Sequence, residues 1–444
     1  MSFEQFLEST SDTAPRVAPA PVNPFAGLGL RPELAAAVAH AGYQVPTAVQ
    51  TQAIPAALAG HDLLVSAHTG SGKTAAFVLP ALQRVLAARQ DASKKRERGL
   101  VSGPRVLVLT PTRELALQVT RASATYGRSV PGLRVASVVG GVPYGAQLKS
   151  LRGPLDLLIA TPGRLMDLMG SGAAILKNVE LLVLDEADRM LDMGFIDDIR
   201  FIAQALPTQR QTLMFSATFG GHVGALAKSL TREPRRVAVA THTDTHAQIE
   251  QRLYWADNAA HRHALLEHLL VERSLDQALV FTSTQRDADH LAHRLAGIGH
   301  PVAALHGGMP QGQRNRVLSA LRQRQLRVLV ATDVASRGID VPSISHVFNV
   351  GLPMKVEDYV HRIGRTGRAG RMGLAITLAE RRDSLAIRRI EQFTTQRIAV
   401  ATVPGMEPRS VEARPAAPAR RPGKRPAPAA RRSSGEHRAP SKRR

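Results

Sequence analysis

Short, nearly unbroken apolar runs recur along this chain, separated by stretches whose apolar residues repeat at helical spacing. In the first half the runs fall at residues 62–66, 105–110, 134–139, 155–160, 181–184 and 211–215. In the second half they fall at Leu253–Trp255, Ala278–Phe281, Val302–Leu305, Arg327–Val330, Val347–Val350 and Ala375–Leu378. Strands that are apolar on both sides are buried on both sides, so each series predicts a parallel sheet covered by helices. Two helices precede the first strand. One opens at Pro32-Glu33, carries Leu34, Val38 and Ala41 on one face and closes at Gly42; the other runs from about Val49 to Leu58. The expected architecture is α/β, with two tandem domains at 24–240 and 247–400 joined by the polar linker 241–246. Residues 1–23, rich in Ala, Pro, Ser and Thr, and 401–444, dominated by Pro, Ala, Arg and Lys, lack the composition of a core. They are expected to be a disordered lead and a disordered basic tail.

Charge narrows the partner. The 444 residues carry a formal net charge of +22, and residues 405–444 alone hold 12 Lys/Arg against 3 Glu. A polyanion is therefore the leading partner, with the tail attracting nucleic acid non-specifically. Lys94-Lys95-Arg96-Glu97-Arg98-Gly99 reads as an exposed basic loop. There is no Cys, which excludes disulfides and thiolate metal sites. No apolar run approaches the ~18 residues of a membrane span. Met1-Ser2-Phe3-Glu4-Gln5-Phe6 lacks the basic start and apolar segment of a secretion signal, so the cytoplasm is the expected compartment.

The chemistry centres on Ala67-His68-Thr69-Gly70-Ser71-Gly72-Lys73-Thr74, which follows a strand and opens a helix. Glycines there let backbone N–H groups turn inward and cradle phosphate oxygens, and the helix N-terminus adds positive partial charge. Lys73 is placed to reach the β/γ-phosphates, and the Thr74 hydroxyl to ligate Mg²⁺. Ala67 stands where the general pattern has Gly. A phosphate loop needs a partner carboxylate, and Asp185-Glu186-Ala187-Asp188 follows the apolar run 181–184. Asp185 lies at a strand's carboxyl end, where open α/β sheets bind ligands, and Glu186 is the candidate to orient water. His261, His263 and His268 share one expected helix, but His261 and His263 point to different faces, so a metal site is not favoured.

In this order the motifs resemble the DEAD-box ATP-dependent RNA helicases. Phe25 with Gly42-Tyr43-Gln44-Val45-Pro46-Thr47-Ala48-Val49-Gln50 is similar to the family's adenine-reading Q motif. Pro111-Thr112-Arg113-Glu114-Leu115-Ala116, Gly140-Gly141, Thr161-Pro162-Gly163-Arg164 and Ser216-Ala217-Thr218 follow. The second domain supplies Val280–Thr284, His306-Gly307 with Gln311 and Arg314, Ala331–Asp340, and His361-Arg362-Ile363-Gly364-Arg365-Thr366-Gly367-Arg368. Ala48, Val49, His68 and Ser336 depart from the commonest family residues without removing a reacting group. Residues 209–222, the compact motif core and the basic tail look most like the bacterial RhlE branch.

The resemblance implies two RecA-like domains, ATP and Mg²⁺ as cofactors, and RNA as partner. It implies that Phe25 stacks on adenine, that Gln50 pairs with it, and that Asp340 contacts the ribose. Thr69, Gly70, Ser71, Gly72, Lys73 and Thr74 would hold the triphosphate. Asp185 would hold Mg²⁺ through water and Glu186 align the nucleophile, while Arg365 and Arg368 act as arginine fingers. Asp188, Ser216, Thr218 and His361 would couple hydrolysis to RNA release. RNA contacts would come from Arg113, Gly141, Thr161 and Arg164 in the first domain and Gln311, Arg314, Thr332 and Arg337 in the second. These groups suit phosphate and 2′-OH rather than bases, so binding is expected to be independent of sequence. The expected activity is RNA-stimulated ATP hydrolysis coupled to local unwinding or remodelling by a monomer, acting on ribosome precursors or with RNA-degradation machinery. Two other readings are an RNA annealer or clamp with nucleotide-timed release, and a DNA-directed motor.

Overall fold

The computed structural model describes residues 23–67, 70–91, 103–238, 248–336, 339, 341, 343–367 and 371–409. Most of the lead, the basic loop at 94–99, the linker 241–246 and most of the tail lie outside them. The described residues up to Glu407 belong to one compact unit, which contains two seven-stranded sheets.

The first lobe begins with α1 (Pro32–His40) and α2 (Ala48–Leu58). Its strands are β1 (Leu63–Ser66), β2 (Val106–Leu109), β3 (Val135–Val138), β4 (Leu157–Ala160), β5 (Leu181–Leu184), β6 (Gln211–Ser216) and β7 (Arg235–Ala238). They are all parallel, in the order β3-β4-β2-β5-β6-β1-β7. Between them run α3 (Lys73–Gln90), α4 (Arg113–Tyr126), α5 (Tyr144–Leu151), α6 (Pro162–Gly170), α7 (Ala187–Asp192), α8 (Ile196–Gln204) and α9 (Gly221–Leu230). Alternate residues of one strand feed two cores. Leu63, Val106, Val108, Val183 and Phe215 pack under α1–α4, while Leu64, Leu107, Leu109, Leu184 and Met214 pack under α6–α9. That double burial is why the strands read as continuous apolar runs.

The second lobe repeats the plan with β8 (Ile249–Ala256), β9 (Gln277–Phe281), β10 (Val302–Leu305), β11 (Val328–Ala331), β12 (Ile344–Asn349), β13 (Gly373–Glu380) and β14 (Ala399–Ala401). Their order, β10-β11-β9-β12-β13-β8-β14, matches the first sheet position by position. The helices are α10 (Ala259–Leu270), α11 (Gln285–Gly297), α12 (Gln311–Arg322), the single turn α13 (Asp333–Ser336), α14 (Val356–Ile363) and α15 (Ser384–Thr394).

Two strands escaped the pattern reading, and both are sheet edges. β7 exposes Arg235 and Arg236, and β14 is three residues long with an exposed Val400; an edge strand needs no second apolar face. The second lobe also outlasts its expected end at residue 400. Val403 is buried in its core, Met406 packs against that core, and His261 bonds the Met406 carbonyl at 3.0 Å. His261 is thus a packing residue that also approaches Asp257 Oδ2 at 3.4 Å. Among the described residues no helix is long and apolar enough to cross a membrane.

Candidate functional site

The carboxyl ends of the strands position the chemistry. β1 ends at Ser66, the Ala67 N–H donates to the Ser216 carbonyl at 3.0 Å, and the chain then turns into α3. Gly70 and Gly72 stand at φ 90° and 84°, a region open to Gly and strained for other residues. His68 and Thr69 lie outside the described residues. Beneath this loop Thr47 and Gln50 close a capping box at the start of α2. The same two side chains also hold the phosphate loop: Thr47 Oγ1 donates to the Ser71 carbonyl at 2.8 Å, and Gln50 Nε2 donates to the Gly72 carbonyl at 3.1 Å. Gln50 Oε1 accepts from the Thr47 N–H at 2.9 Å, so both ends of its amide are engaged within the protein. Phe25 is fully buried among core residues.

Lys73 is buried at the start of α3, 3.9 Å from Asp185 Oδ1. Burial pushes the Asp185 carboxyl up to about 6, with Lys73 pulling it down and Glu186 pushing it up. Asp188 is raised for the same first reason. Asp185 Oδ1 is shielded from solvent and accepts no hydrogen bond. A desolvated carboxylate oxygen beside a second carboxylate fits a hard cation, and the half-buried Thr74 supplies the hydroxyl type that Mg²⁺ takes in phosphate-loop sites. Glu186 has φ 54°, a left-handed conformation that costs a non-Gly residue about 1–3 kcal/mol and persists only where surroundings fix it. Its Oε2 lies 3.5 Å from Arg189 Nε.

Three of the residues expected to couple hydrolysis to RNA release meet. The Asp188 N–H donates to Ser216 Oγ at 3.3 Å, the Ala217 N–H donates to Asp188 Oδ2 at 3.0 Å, and Ser216 Oγ donates to the Thr218 carbonyl at 2.7 Å. The end of β6 is therefore wired to the start of α7. His361 is buried on α14 of the second lobe.

In the second lobe α14 is anchored by Arg362. Its guanidinium pairs with both Asp333 oxygens at 2.6 and 2.7 Å, donates to Asn349 Oδ1 at 3.2 Å and lies 4.9 Å from the Phe281 ring centre. Arg365, expected as a finger, is buried, and donates to the Ile339 carbonyl at 3.0 Å and the His361 carbonyl at 3.2 Å. Asp340, Arg337 and Arg368 lie outside the described residues.

Three of the arginines expected on RNA, Arg113, Arg164 and Arg314, gather where the lobes meet. Arg113 lies against Gly141, which has φ 67°, and a Cβ there would come within 2.7 Å of Arg113 Nη1. Arg113 Nε and Nη1 are shielded from solvent without an acceptor. Burial lowers this guanidinium's proton affinity; Glu114 raises it, and Arg314 and Arg164 lower it. Arg314 crosses from α12 to the first lobe, donating to Glu114 Oε1 from Nη2 at 2.7 Å and from Nε at 3.2 Å. Its Nη1 donates to the His306 carbonyl at 3.1 Å, so most of its donors are used inside the protein. Arg164 donates to the Val142 carbonyl at 3.2 Å and lies over Tyr144. The Thr161 N–H joins the β3 end at the Val138 carbonyl, 3.1 Å away. Thr332 occupies the corresponding end of β11, its N–H donating to the Leu305 carbonyl at 3.3 Å. Gln311 opens α12 and donates to Asn315 at 3.0 Å.

Comparison with known proteins matches this geometry to one family. Residues 47–225 match the DEAD/DEAH box helicase family and residues 260–370 the helicase conserved C-terminal domain. The chain is 40% identical over 390 residues to the ATP-dependent RNA helicase SrmB of Escherichia coli, covering 88% of this chain and 86% of that protein. The chain belongs to the DEAD-box ATP-dependent RNA helicases. It is also 40% identical over 382 residues to RhlB of Xanthomonas campestris, covering 85% of this chain and 65% of that longer protein. The expected RhlE-like branch is a close relative of these within the bacterial DEAD-box group. Saccharomyces cerevisiae Dbp5 bound to RNA and ADP BeF3 aligns with a TM-score of 0.75 at 29% identity, covering 86% of this chain and 95% of that one. The two expected RecA-like domains are this helicase's two lobes.

Several residues that join the lobes of this DEAD-box protein are not marked by any sequence pattern. Glu114 carries the interlobe bond to Arg314, and Asp358 approaches Arg189 across the seam at 3.8 Å. Lys355 reaches Asp192 the same way. All three sit inside or beside quoted motifs, yet a carboxylate that ties two lobes together carries no local pattern. Only the fold places Glu114 opposite Arg314.

Proposed function

We propose that ATP and RNA close the two lobes together and that RNA thereby stimulates ATP hydrolysis, with duplex opening confined to the few nucleotides in the cleft. The observation that carries this reading is the seam itself. Arg113 keeps buried N–H groups without acceptors beside the Arg314–Glu114 bond, so an RNA phosphate there would satisfy donors at the junction of both lobes. Backbone, hydroxyl and Arg groups select phosphate and 2′-OH, which supports binding without base readout.

At the nucleotide, Lys73 would meet the β/γ-phosphates in the cradle of Gly70, Ser71 and Gly72. Mg²⁺, held on Thr74 and through water on Asp185, would neutralise charge on the phosphates. Glu186, fixed by its backbone and Arg189, would orient the attacking water. Gln50 would exchange its Gly72 carbonyl for the adenine edge, which ties nucleotide recognition to loop geometry. Arg365 would leave the Ile339 carbonyl for the γ-phosphate, joined by Arg368, so hydrolysis waits for closure. We place this activity in the cytoplasm, in a monomer acting on ribosome precursors or with RNA-degradation machinery. The test is strand separation of a short duplex whose loading strand is RNA or DNA. ATP-dependent release with the RNA strand and little with the DNA strand is expected; equal release with both would make the chain a DNA-capable motor and overturn the 2′-OH reading.

A further inference from the structure

The Arg164 guanidinium has a partner that none of the helicase motifs accounts for. Tyr144, the first residue of α5 and three residues beyond Gly141, lies with its ring centre 5.9 Å from Arg164 Cζ. Its hydroxyl bonds Ser171 Oγ at 2.7 Å, at the far end of α6. Ser171 is held in turn by a 3.1 Å bond to the Leu168 carbonyl. The ring is therefore fixed at its face and at its tip, yet it remains 41% exposed.

An exposed aromatic side chain held by two partners has already lost its rotamer freedom, so it offers a flat apolar surface at little further entropic cost. Its position matters as much. Arg113 lies on Gly141, Arg164 donates to Val142, and both belong to the set placed on RNA. With Arg164 over one face of Tyr144, a nucleobase can occupy the other and extend the stack. Such stacking is tolerant of sequence, because every base has a π-face.

We propose that Tyr144 is a stacking platform for one nucleobase of the bound single strand, preorganised by Arg164 and Ser171 at the first-lobe end of the RNA track. This rests on the reading that Arg113, Gly141 and Arg164 face RNA. It adds a base contact to a path otherwise made of backbone contacts. The platform strengthens grip on one nucleotide without choosing its identity.

The test is a coupling measurement with full-length protein, a non-hydrolysable ATP analogue and a short single-stranded RNA. Abasic sites are placed in the RNA one position at a time. In wild type, one abasic position should weaken binding about 5- to 150-fold, the range for losing one stacked base. Tyr144→Leu, which keeps apolar bulk without a π-face, should weaken binding of intact RNA to a similar degree and be indifferent to that abasic site. Tyr144→Phe should retain most of the affinity and the abasic sensitivity. If Tyr144→Leu and wild type respond identically at every abasic position, the platform is overturned. Arg113→Ala separates this from the parent reading: unchanged RNA affinity in that variant would remove RNA from this face altogether. A loss there combined with uncoupled abasic sites would reject Tyr144 alone.

Discussion

Replacing Gly141 by Ala tests how closely the RNA face depends on one backbone approach. The residue sits at φ 67°, where an L-side chain costs about 1–2 kcal/mol. The new Cβ would fall 2.7 Å from Nη1 and 2.8 Å from Cζ of Arg113, closer than carbon can approach either atom. The backbone is the stiffer partner, so the guanidinium swings away. One charge-assisted phosphate contact is worth about 1.5–3 kcal/mol, and 1.4 kcal/mol is about tenfold in affinity. Gly141→Ala should therefore weaken single-stranded RNA binding by about 10- to 150-fold. Nucleotide affinity without RNA should stay within about twofold, because Gly141 lies beyond the edge strand β3, with β4, β2, β5 and β6 between it and β1 with its phosphate loop. Anisotropy titration with labelled RNA and a fluorescent nucleotide reads both. Undiminished RNA affinity in a folded variant would refute the placement of Arg113 on RNA. An equal loss of nucleotide binding would show instead that the substitution damages the whole lobe.

Gly72→Ala should lower nucleotide affinity by at least about tenfold in the same titration, since its Cβ would come within 2.5 Å of Gln50 Nε2 at a backbone φ of 84°. Arg362→Met strips the buried partner from Asp333 and should cost about 3 kcal/mol in urea unfolding; a change below about 1 kcal/mol would contradict the anchoring role. His346 is buried with Nε2 unpaired, and burial lowers its proton affinity, so the unfolded chain binds the proton more readily. Its contribution is complete above the unfolded value of about 6.5 and is lost as pH falls below it, so thermal unfolding should come earlier at pH 5.5 than at pH 7.5. His346→Leu should flatten that dependence.

Most of both sheets was legible from the chain because the central strands, such as β2, β4, β5, β9 and β11, are buried on two faces and carry no polar alternation. β7 and β14 were not: each pairs with one neighbour only, β7 carries Arg235 and Arg236, and β14 is three residues long. The phosphate loop, the Asp185–Asp188 turn and Ser216–Thr218 were readable as local motifs, and the fold brings Asp188 and Ser216 into contact. Phe25 shows what a motif does not convey: its apolar surroundings bury the ring completely. Arg314 was read as an RNA ligand by position, yet its carboxylate partner lies 200 residues earlier in the chain. A pairing at that separation depends on how two lobes meet, and no window of sequence contains it.

We propose that hydrolysis is gated by closure on RNA. Steady-state ATPase with and without single-stranded RNA tests it most directly, using wild type beside Lys73→Ala and Arg365→Ala. RNA should stimulate the wild type strongly, and both variants should lose that stimulated rate, the finger by about 10³-fold or more. Tight RNA binding without stimulation would contradict the account and leave a basic RNA clamp whose nucleotide site only times release.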